Sequence, residues 1–505
     1  MRVSFLPSLP CLAAGLCLLA TPGVATAQAT QETITIDAHS SGKPFPHFWE
    51  QMFGSGRAVL SMRESYREDL RQVKQITDLR YVRFHAILDD EVGVYGEDKQ
   101  GNPIYNFDYV DQIYDGLLAN GVRPFIELSF MPKLLAARLD YHPFWYHPIV
   151  SPPADYAKWN ALIRAFAQHL IDRYGIDEVA GWYFEVWNEP NIDFWTGRPA
   201  QETYFELYDN TARSLKAVNQ RLRVGGPATA QAAWVDAIIA HTTKEQVPLD
   251  FVSTHAYGND SAMDIVGHPE TVAPHQMLTV AVDKVHGQIA ASARPDIPLI
   301  WSEFNATYMS EREITDSVYM GPWLAKTISE CDGKVNLMSY WTFSDVFEEQ
   351  GVIRAPFFGG FGLIAIDHLP KPSFNVFRLL HALGEQRIPD PSNDVLVTRK
   401  KDGTLVLAAW NLAEHGVTVP DKSITFALQG VKANAAVSIS RVDHAHGDVL
   451  AAYDKMGAPV YPSQEQLQQL REVEQAAAPQ VEHLRGGSFT LVVPAQGLAV
   501  VETGR

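Results

Sequence analysis

The chain alternates short apolar runs with longer stretches of helical period. Between about residues 45 and 385 the runs are HFWEQMF (47–53), YVRFHAIL (81–88), RPFIELSF (123–130), GWYFEVWN (181–188), RVGGPAT (223–229), DFVSTHAY (250–257), PLIWSEF (298–304) and NLMSYWTF (336–343). Their apolar residues are near-continuous rather than alternating, which predicts strands buried on both faces. Between them, FDYVDQIYDGLLANG (107–121) places Phe107, Val110, Ile113, Tyr114, Leu117 and Leu118 at helical steps and stops at Gly121. DYAKWNALIRAFAQHLIDRYG (155–175) does the same and stops at Gly175. Eight strands alternating with helices predict an α/β fold, a parallel (β/α)8 TIM barrel over residues 45–385. No glycine-rich phosphate loop follows a strand, which disfavours a doubly wound nucleotide-binding sheet.

Past Leu383-Gly384 the period changes to two. DVLVTRKKDGTLVLAAWNL (394–412) predicts a hairpin about Asp402-Gly403, and SITFAL, AVSISRV, SFTLVV and LAVVET continue the pattern. Residues 386–505 are expected to form a C-terminal β-sandwich accessory domain. The strand-like ETITIDA (32–38), within residues 28–44, is expected to join it, and SQEQLQQLREVEQAA (463–477) to be a helix inserted in it.

Residues 1–27 predict a secretory signal peptide. Arg2 is their sole charge, an apolar run covers 12–20, and Ala25-Thr26-Ala27 has the small-x-small form of a cleavage site. That run is too short to span a bilayer, and no later stretch reaches 18 uncharged apolar residues. The mature protein is therefore expected to be soluble and periplasmic or secreted, with no membrane partner. Cys11 and Cys17 leave with the leader, so Cys331 remains without a disulfide partner and reads as a buried small hydrophobe. The formal charge of −18 disfavours nucleic acid as a partner.

In such a barrel the site lies at the C-terminal ends of the strands, so the polar residues closing the runs are the candidates. They are Arg83, His85, Glu127, Asn188, Glu189, His255, Tyr257, Glu303, Asn305 and Trp341, with Glu348 and Glu349 just beyond. Glu189 ends the fourth run, where Pro190 cannot extend a ladder, and Glu303 closes the seventh. Strands four and seven of eight lie nearly opposite, so the two carboxylates face each other across the mouth. Glycoside hydrolysis needs such a pair: one protonates the departing oxygen, and the other attacks the anomeric carbon or activates water. A gap of ~5–5.5 Å gives retention and ~6.5–9.5 Å inversion.

Glu127 and Glu185 suit barrel hydrogen bonding or substrate contact equally, and His255 a core or a site role. Trp182, Trp187 and Trp341 fit the core or a sugar-stacking surface. No G-x-S-x-G elbow, H-E-x-x-H or Cys/His set offers other chemistry. His142, Tyr146 and His147 in YHPFWYHPIVSPP (141–153) read as a structural or substrate-lining loop rather than metal ligands.

Seven barrel segments in order carry a family likeness: FWEQMFGSGRA (48–58), YVRFHAILDD (81–90), PFIELSFMP (124–132), GWYFEVWNEPN (181–191), DFVSTHAYG (250–258), SEFNATY (302–308) and SYWTFSDVFEEQG (339–351). With VDHAHGD and AAYDKMGAPVYPSQEQ (442–466), the chain resembles glycoside hydrolase family 39, the family of β-xylosidases and α-L-iduronidase. The resemblance implies Glu189 as general acid/base and Glu303 as nucleophile of a retaining mechanism, with Asn188 bonded to the sugar 2-hydroxyl. It implies His85, His255, Tyr257, Tyr308, Trp341, Glu348 and Glu349 as substrate-binding residues, which of the last two touches sugar being open. No cofactor and no metal are implied, and the partner is a small carbohydrate. Ala86 stands where many members have Gly, and Phe304 where Trp is frequent; both are expected at the subsite wall. Arg57 and Arg83 are the cations placed to read a uronate. The expected activity is an exo-acting β-xylosidase on xylooligosaccharides. α-L-Arabinosidase, α-L-iduronidase-like hydrolysis and non-catalytic carbohydrate binding are the alternatives.

Overall fold

The computed structural model describes residues 30–389, 392–474 and 478–504, so the leader expected over 1–27 lies outside the described residues. Eight parallel strands close a barrel in sequence order: Met52–Gly54, Tyr81–Phe84, Arg123–Leu128, Tyr183–Val186, Arg223–Thr229, Phe251–Tyr257, Leu299–Asn305 and Leu337–Tyr340. Each predicted run holds one strand, but the second, third, fourth and eighth stop earlier than the apolar pattern does, and in the second and fourth the reason is local. The cause is backbone conformation. Ala86, Trp187 and Glu189 have φ of +72°, +71° and +42°, and a left-handed residue cannot continue a ladder.

The period of two explains how an apolar chain builds a polar mouth. Met52, Phe125, Phe251, Ile300 and Leu337, with Tyr81 and Tyr183, form an apolar floor inside the barrel. Two residues further along strands two, three, four, six and eight come Arg83, Glu127, Glu185, Ser253 and Ser339, all buried. Two further still come His85, Ser129, Trp187, His255 and Trp341. The intervening positions Val82, Ile126, Phe184, Val252 and Met338 face the helices and join the large core. Strand seven breaks the count with a register shift. Thr254 pairs with Trp301 but His255 with Glu303, so Ser302 and Glu303 both reach the interior.

The two helices read from periodicity are present as Asp108–Ala119 and Tyr156–Tyr174. Asp155 caps the latter by accepting from Ala157 N at 2.7 Å, and Gly175 ends it at φ +81°. The subsite-wall expectation for Phe304 and Ala86 is corrected. Phe304 stacks on Trp323 of helix Met320–Cys331 at 6.3 Å, outside the barrel, and neither residue lines the pocket described below.

The C-terminal sandwich consists of a three-stranded and a seven-stranded sheet. Thr30–Asp37 runs parallel to Lys422–Gln429, so the N-terminal strand does join it. Ile34, Ile36, Val397, Leu407, Phe426 and Leu491 fill the space between the sheets. The Asp402-Gly403 hairpin connects Val395–Arg399 to Leu405–Asn411, with Gly403 at φ +92°. The insertion is two helices, Val449–Lys455 and Gln464–Glu474. They pack through Leu450, Tyr453, Leu467 and Leu470 on Phe357 and Leu369, beyond the eighth barrel strand. Cys331 is buried and free.

Candidate active site

The buried layer beneath the mouth is organised by Arg83. Its Nε donates to Glu185 at 2.6 Å, Nη1 to Glu303 at 2.5 Å, and Nη2 to Asn188 Oδ1 at 2.9 Å, with Glu127 Oε2 2.7 Å from the same nitrogen. A guanidinium removed from water needs such pairing, and its planar fork can serve several acceptors at once. His85 Nδ1 lies 2.7 Å from Glu127. Burial disfavours a charge on this ring, but the carboxylate of Glu127, followed by those of Glu349 and Glu303, raises its pKa to about 10. Two cations thus sit under the mouth among four acidic side chains, Glu127, Glu185, Glu303 and Glu349.

Glu189 and Glu303 converge above this layer. One carboxylate oxygen of each and a nitrogen of His255 lie within 4.8 Å of one another. That spacing falls on the side of the ~5–5.5 Å carboxyl separation of retaining glycosidases rather than the ~6.5–9.5 Å of inverting ones. Left-handed backbone at Trp187 and Glu189 turns the latter off the end of strand four, where its N–H donates to Ala228 O at 2.8 Å. Its Oε1 is 3.0 Å from His255 Nδ1, whose other nitrogen is 3.1 Å from Ser302 Oγ. Burial and the nearby charges of Arg83 and His85 push the His255 pKa well below the ordinary imidazole range, so this ring is neutral. Glu303 accepts from Arg83 and, at 2.7 Å, from Tyr257 Oη.

The two carboxyls therefore differ in protonation. Burial raises the pKa of both. For Glu189 the neighbouring Glu303 adds to the rise and His85 and Arg83 offset it only in part, whereas for Glu303 the cations Arg83 and His85 are the first groups to oppose burial, joined by the Tyr257 hydrogen bond. The shared proton resides on Glu189 and the charge on Glu303. The same convergence offers ligand atoms to a cation at His85, Glu127 and Glu303 or at Glu189, His255 and Glu303, but hydrogen bonds within the site already engage these groups.

A cavity of about 280 Å³ opens above the pair, and His85, Asn188, Glu189, Tyr257, Glu303, Tyr308, Trp341 and Glu349 all line it. His255 lies behind Glu189 instead, touching the cavity through it. Trp182 and Trp187 are core residues, the indole N–H of Trp187 donating to Phe194 O at 2.7 Å. Glu348 is turned away: Arg63 Nη1 and Nη2 hold its two oxygens at 2.5 and 3.1 Å. Of the acidic pair, Glu349 is the one that reaches the cavity. Neither cation considered for a uronate is free, since Arg83 is engaged as above and Arg57 Nε donates to Glu91 at 2.7 Å. His142 lines the wall, stacked on Phe194 with centroids 3.9 Å apart, while Tyr146 is half-buried, its ring 4.9 Å beneath the Arg57 guanidinium. Phe144, Phe194, Gln231, Gln350 and Phe361 also line the cavity and come from loops without periodic signal.

Comparison with known proteins places this geometry. The profile of the glycosyl hydrolases family 39 matches residues 32–487. A β-xylosidase of Geobacillus stearothermophilus is 38% identical over 448 residues, spanning 86% of this chain and 88% of the relative. Among solved structures, a monomeric β-xylosidase from Caulobacter crescentus CB15 superposes with a TM-score of 0.85 at 33% identity, covering 94% of this chain and 99% of that one. A family 39 enzyme from Xanthomonas axonopodis pv. citri gives the same TM-score and identity over 96% and 99%. Family match, relatives and a two-glutamate barrel mouth agree: the chain is a glycoside hydrolase and belongs to family 39.

Proposed function

We propose that this protein is a retaining β-xylosidase that removes single xylose units from xylooligosaccharides, with Glu303 as nucleophile and Glu189 as acid/base. The observation that carries the reading is the convergence of the two carboxyls within 4.8 Å in unequal electrostatic surroundings. Ionised Glu303 attacks the anomeric carbon while protonated Glu189 gives its proton to the departing oxygen. The sugar is left esterified to Glu303. Glu189, now a carboxylate, takes a proton from water as that water displaces Glu303, and the configuration is retained after two inversions. Asn188 Oδ1 is engaged by Arg83, which leaves its Nδ2 to donate to the sugar 2-hydroxyl.

Substrate choice is read from charge and size. Among the described residues lining the cavity there is no Lys or Arg, and its one cation, His85, is already paired with Glu127, while Asp260, Glu303 and Glu349 contribute carboxyls beside protonated Glu189. A uronate would be repelled there, and a neutral pentose would not. A cavity of about 280 Å³ is also small for a carbohydrate site, which suits removal of a terminal residue rather than mid-chain cleavage.

The testing experiment is turnover of aryl β-xyloside, α-L-arabinosides and α-L-iduronide, with proton NMR of the first sugar released. The β-xyloside is expected to be fastest and to give β-xylose first. A faster iduronide would overturn the neutral-sugar reading, and an α-configured first product would overturn retention.

A further inference from the structure

Glu348 faces away from the cavity, yet it is held more tightly than an ordinary loop residue. Its φ is +65°, in the region that a residue with a β-carbon avoids. Arg63 grips its carboxylate with two hydrogen bonds, and Arg57 Nη1 adds a third contact at 3.4 Å. Arg57 is in turn fixed by Glu91 and lies 4.9 Å over the ring of Tyr146. The residue after Arg57 closes the frame, because Ala58 N donates to His85 O at 2.9 Å.

The next residue, Glu349, is anchored from the other side. Its carbonyl accepts from Trp145 N at 2.7 Å. Its side chain lines the cavity, where Oε1 is buried without a hydrogen-bond partner and stands 3.5 Å from His85 Nε2. Strained backbone persists only where the surroundings over-determine it. A two-point Arg–carboxylate contact on a nearly buried carboxylate supplies direction that a solvated ion pair does not.

We propose that Glu348 is a positioning residue: Arg63 and Arg57 hold its left-handed backbone so that the carboxylate of Glu349, whose Oε1 stands 3.5 Å from His85 Nε2, meets a sugar hydroxyl. This rests on the β-xylosidase reading for its substrate. Glu349 is the group that touches sugar, and Glu348 acts only through it.

The test is a double-mutant cycle in the full-length protein on an aryl β-xyloside. Arg63, whose side chain is 47% exposed, is replaced in Arg63→Met, alone and with Glu349→Gln. A charge-assisted hydrogen bond to a sugar hydroxyl corresponds to roughly tenfold or more in binding. Arg63→Met is therefore expected to raise KM about tenfold while kcat falls less. In the Glu349→Gln background the same change is expected to cost under twofold, because its target is already lost. Additive losses, or an unchanged KM in Arg63→Met, would overturn the proposal. If Arg63→Met lowers the thermal midpoint substantially, Glu348→Gln keeps the side-chain volume and must give the same non-additive pattern. A wild-type protein inactive on β-xylosides would sink the functional reading instead, and calorimetric binding of xylose in the same variants then reads the cycle.

Discussion

Tyr257→Phe isolates one hydrogen bond to Glu303, the nucleophile of the proposed mechanism. The Tyr257 hydroxyl is 2.7 Å from Glu303 Oε2, and burial next to Glu303 and Glu189 raises its pKa well above the ordinary phenol value, so it donates throughout the working pH range. A hydrogen bond to a charged group contributes about 1.5–3 kcal/mol. It favours ionised Glu303, so its loss raises the Glu303 pKa, by about 1–2 units at 1.36 kcal/mol per unit. Activity requires that ionised form, so the acid limb of kcat/KM against pH moves upward by the same amount. Loss of the proton from Glu189 sets the basic limb, which moves much less, and the bell narrows from its acid side. The two limbs belong to the coupled pair, so the width of the bell is the quantity to compare. The assay is kcat/KM for an aryl β-xyloside across pH in both proteins. An acid limb unmoved by Tyr257→Phe, or one moved downward, would refute the assignment of Glu303 as the ionised partner.

Two further substitutions probe the frame around the site. A Cβ at Gly54 would lie 2.1 Å from Cε3 of Trp341, so Gly54→Ala must displace the indole from the cavity wall; overpacking of this kind costs about 1–3 kcal/mol. We expect a lower thermal midpoint and a kcat/KM loss of about tenfold or more, and unaltered kinetics would mean that Trp341 does not shape the sugar site. Lys371 Nζ is buried 2.6 Å from Asp316, 2.7 Å from Asp345 and 2.8 Å from Gly360 O, so Lys371→Met strands two carboxyls and should cost about 3–5 kcal/mol in urea unfolding. A loss below about 1 kcal/mol would show that the cluster is not a stabilising ion set.

What was legible in the sequence was whatever repeats with a period. Eight apolar runs placed eight strands, and residues closing them placed Asn188, Glu189 and Glu303 at one mouth. What was not legible depends on non-periodic backbone. The left-handed turns at Ala86, Trp187 and Glu189 cut strands short, and a register shift in strand seven sent Phe304 outward and Glu303 inward. Glu348 and Glu349 are chemically identical neighbours, and what distinguishes them is the position of Arg63 and Arg57, nearly 300 residues earlier, on one side and of Trp145 on the other. The cavity-wall residues Phe144, Phe194 and Phe361 lie on loops where apolar residues follow neither helical nor strand spacing. Gly54 did carry a signal, a glycine at the end of an apolar strand, whose meaning needs the facing Trp341.

The polar layer accounts for how two identical side chains take opposite roles. Burial alone would protonate both glutamates and leave no nucleophile. A unit charge ~4 Å away at an effective dielectric near 20 is worth about 4 kcal/mol, or about three pKa units, so the placement of cations decides the outcome. Arg83 and His85 come from strand two and Tyr257 from strand six, and all three address Glu303. The polar side chain that meets Glu189 is His255, and the same two cations keep that ring neutral. The same pair of charges lowers the pKa of both carboxyls, but it makes its direct contacts with Glu303, and by keeping His255 neutral it denies Glu189 a charged partner of its own. Glu127 and Glu185 make this arrangement possible: both pair the buried guanidinium of Arg83, which stays charged at any depth, and Glu127 keeps the His85 imidazolium charged. In the proposed mechanism the division between acid/base and nucleophile is thus set one layer below Glu189 and Glu303, on positions that sequence pattern reads as strand interior.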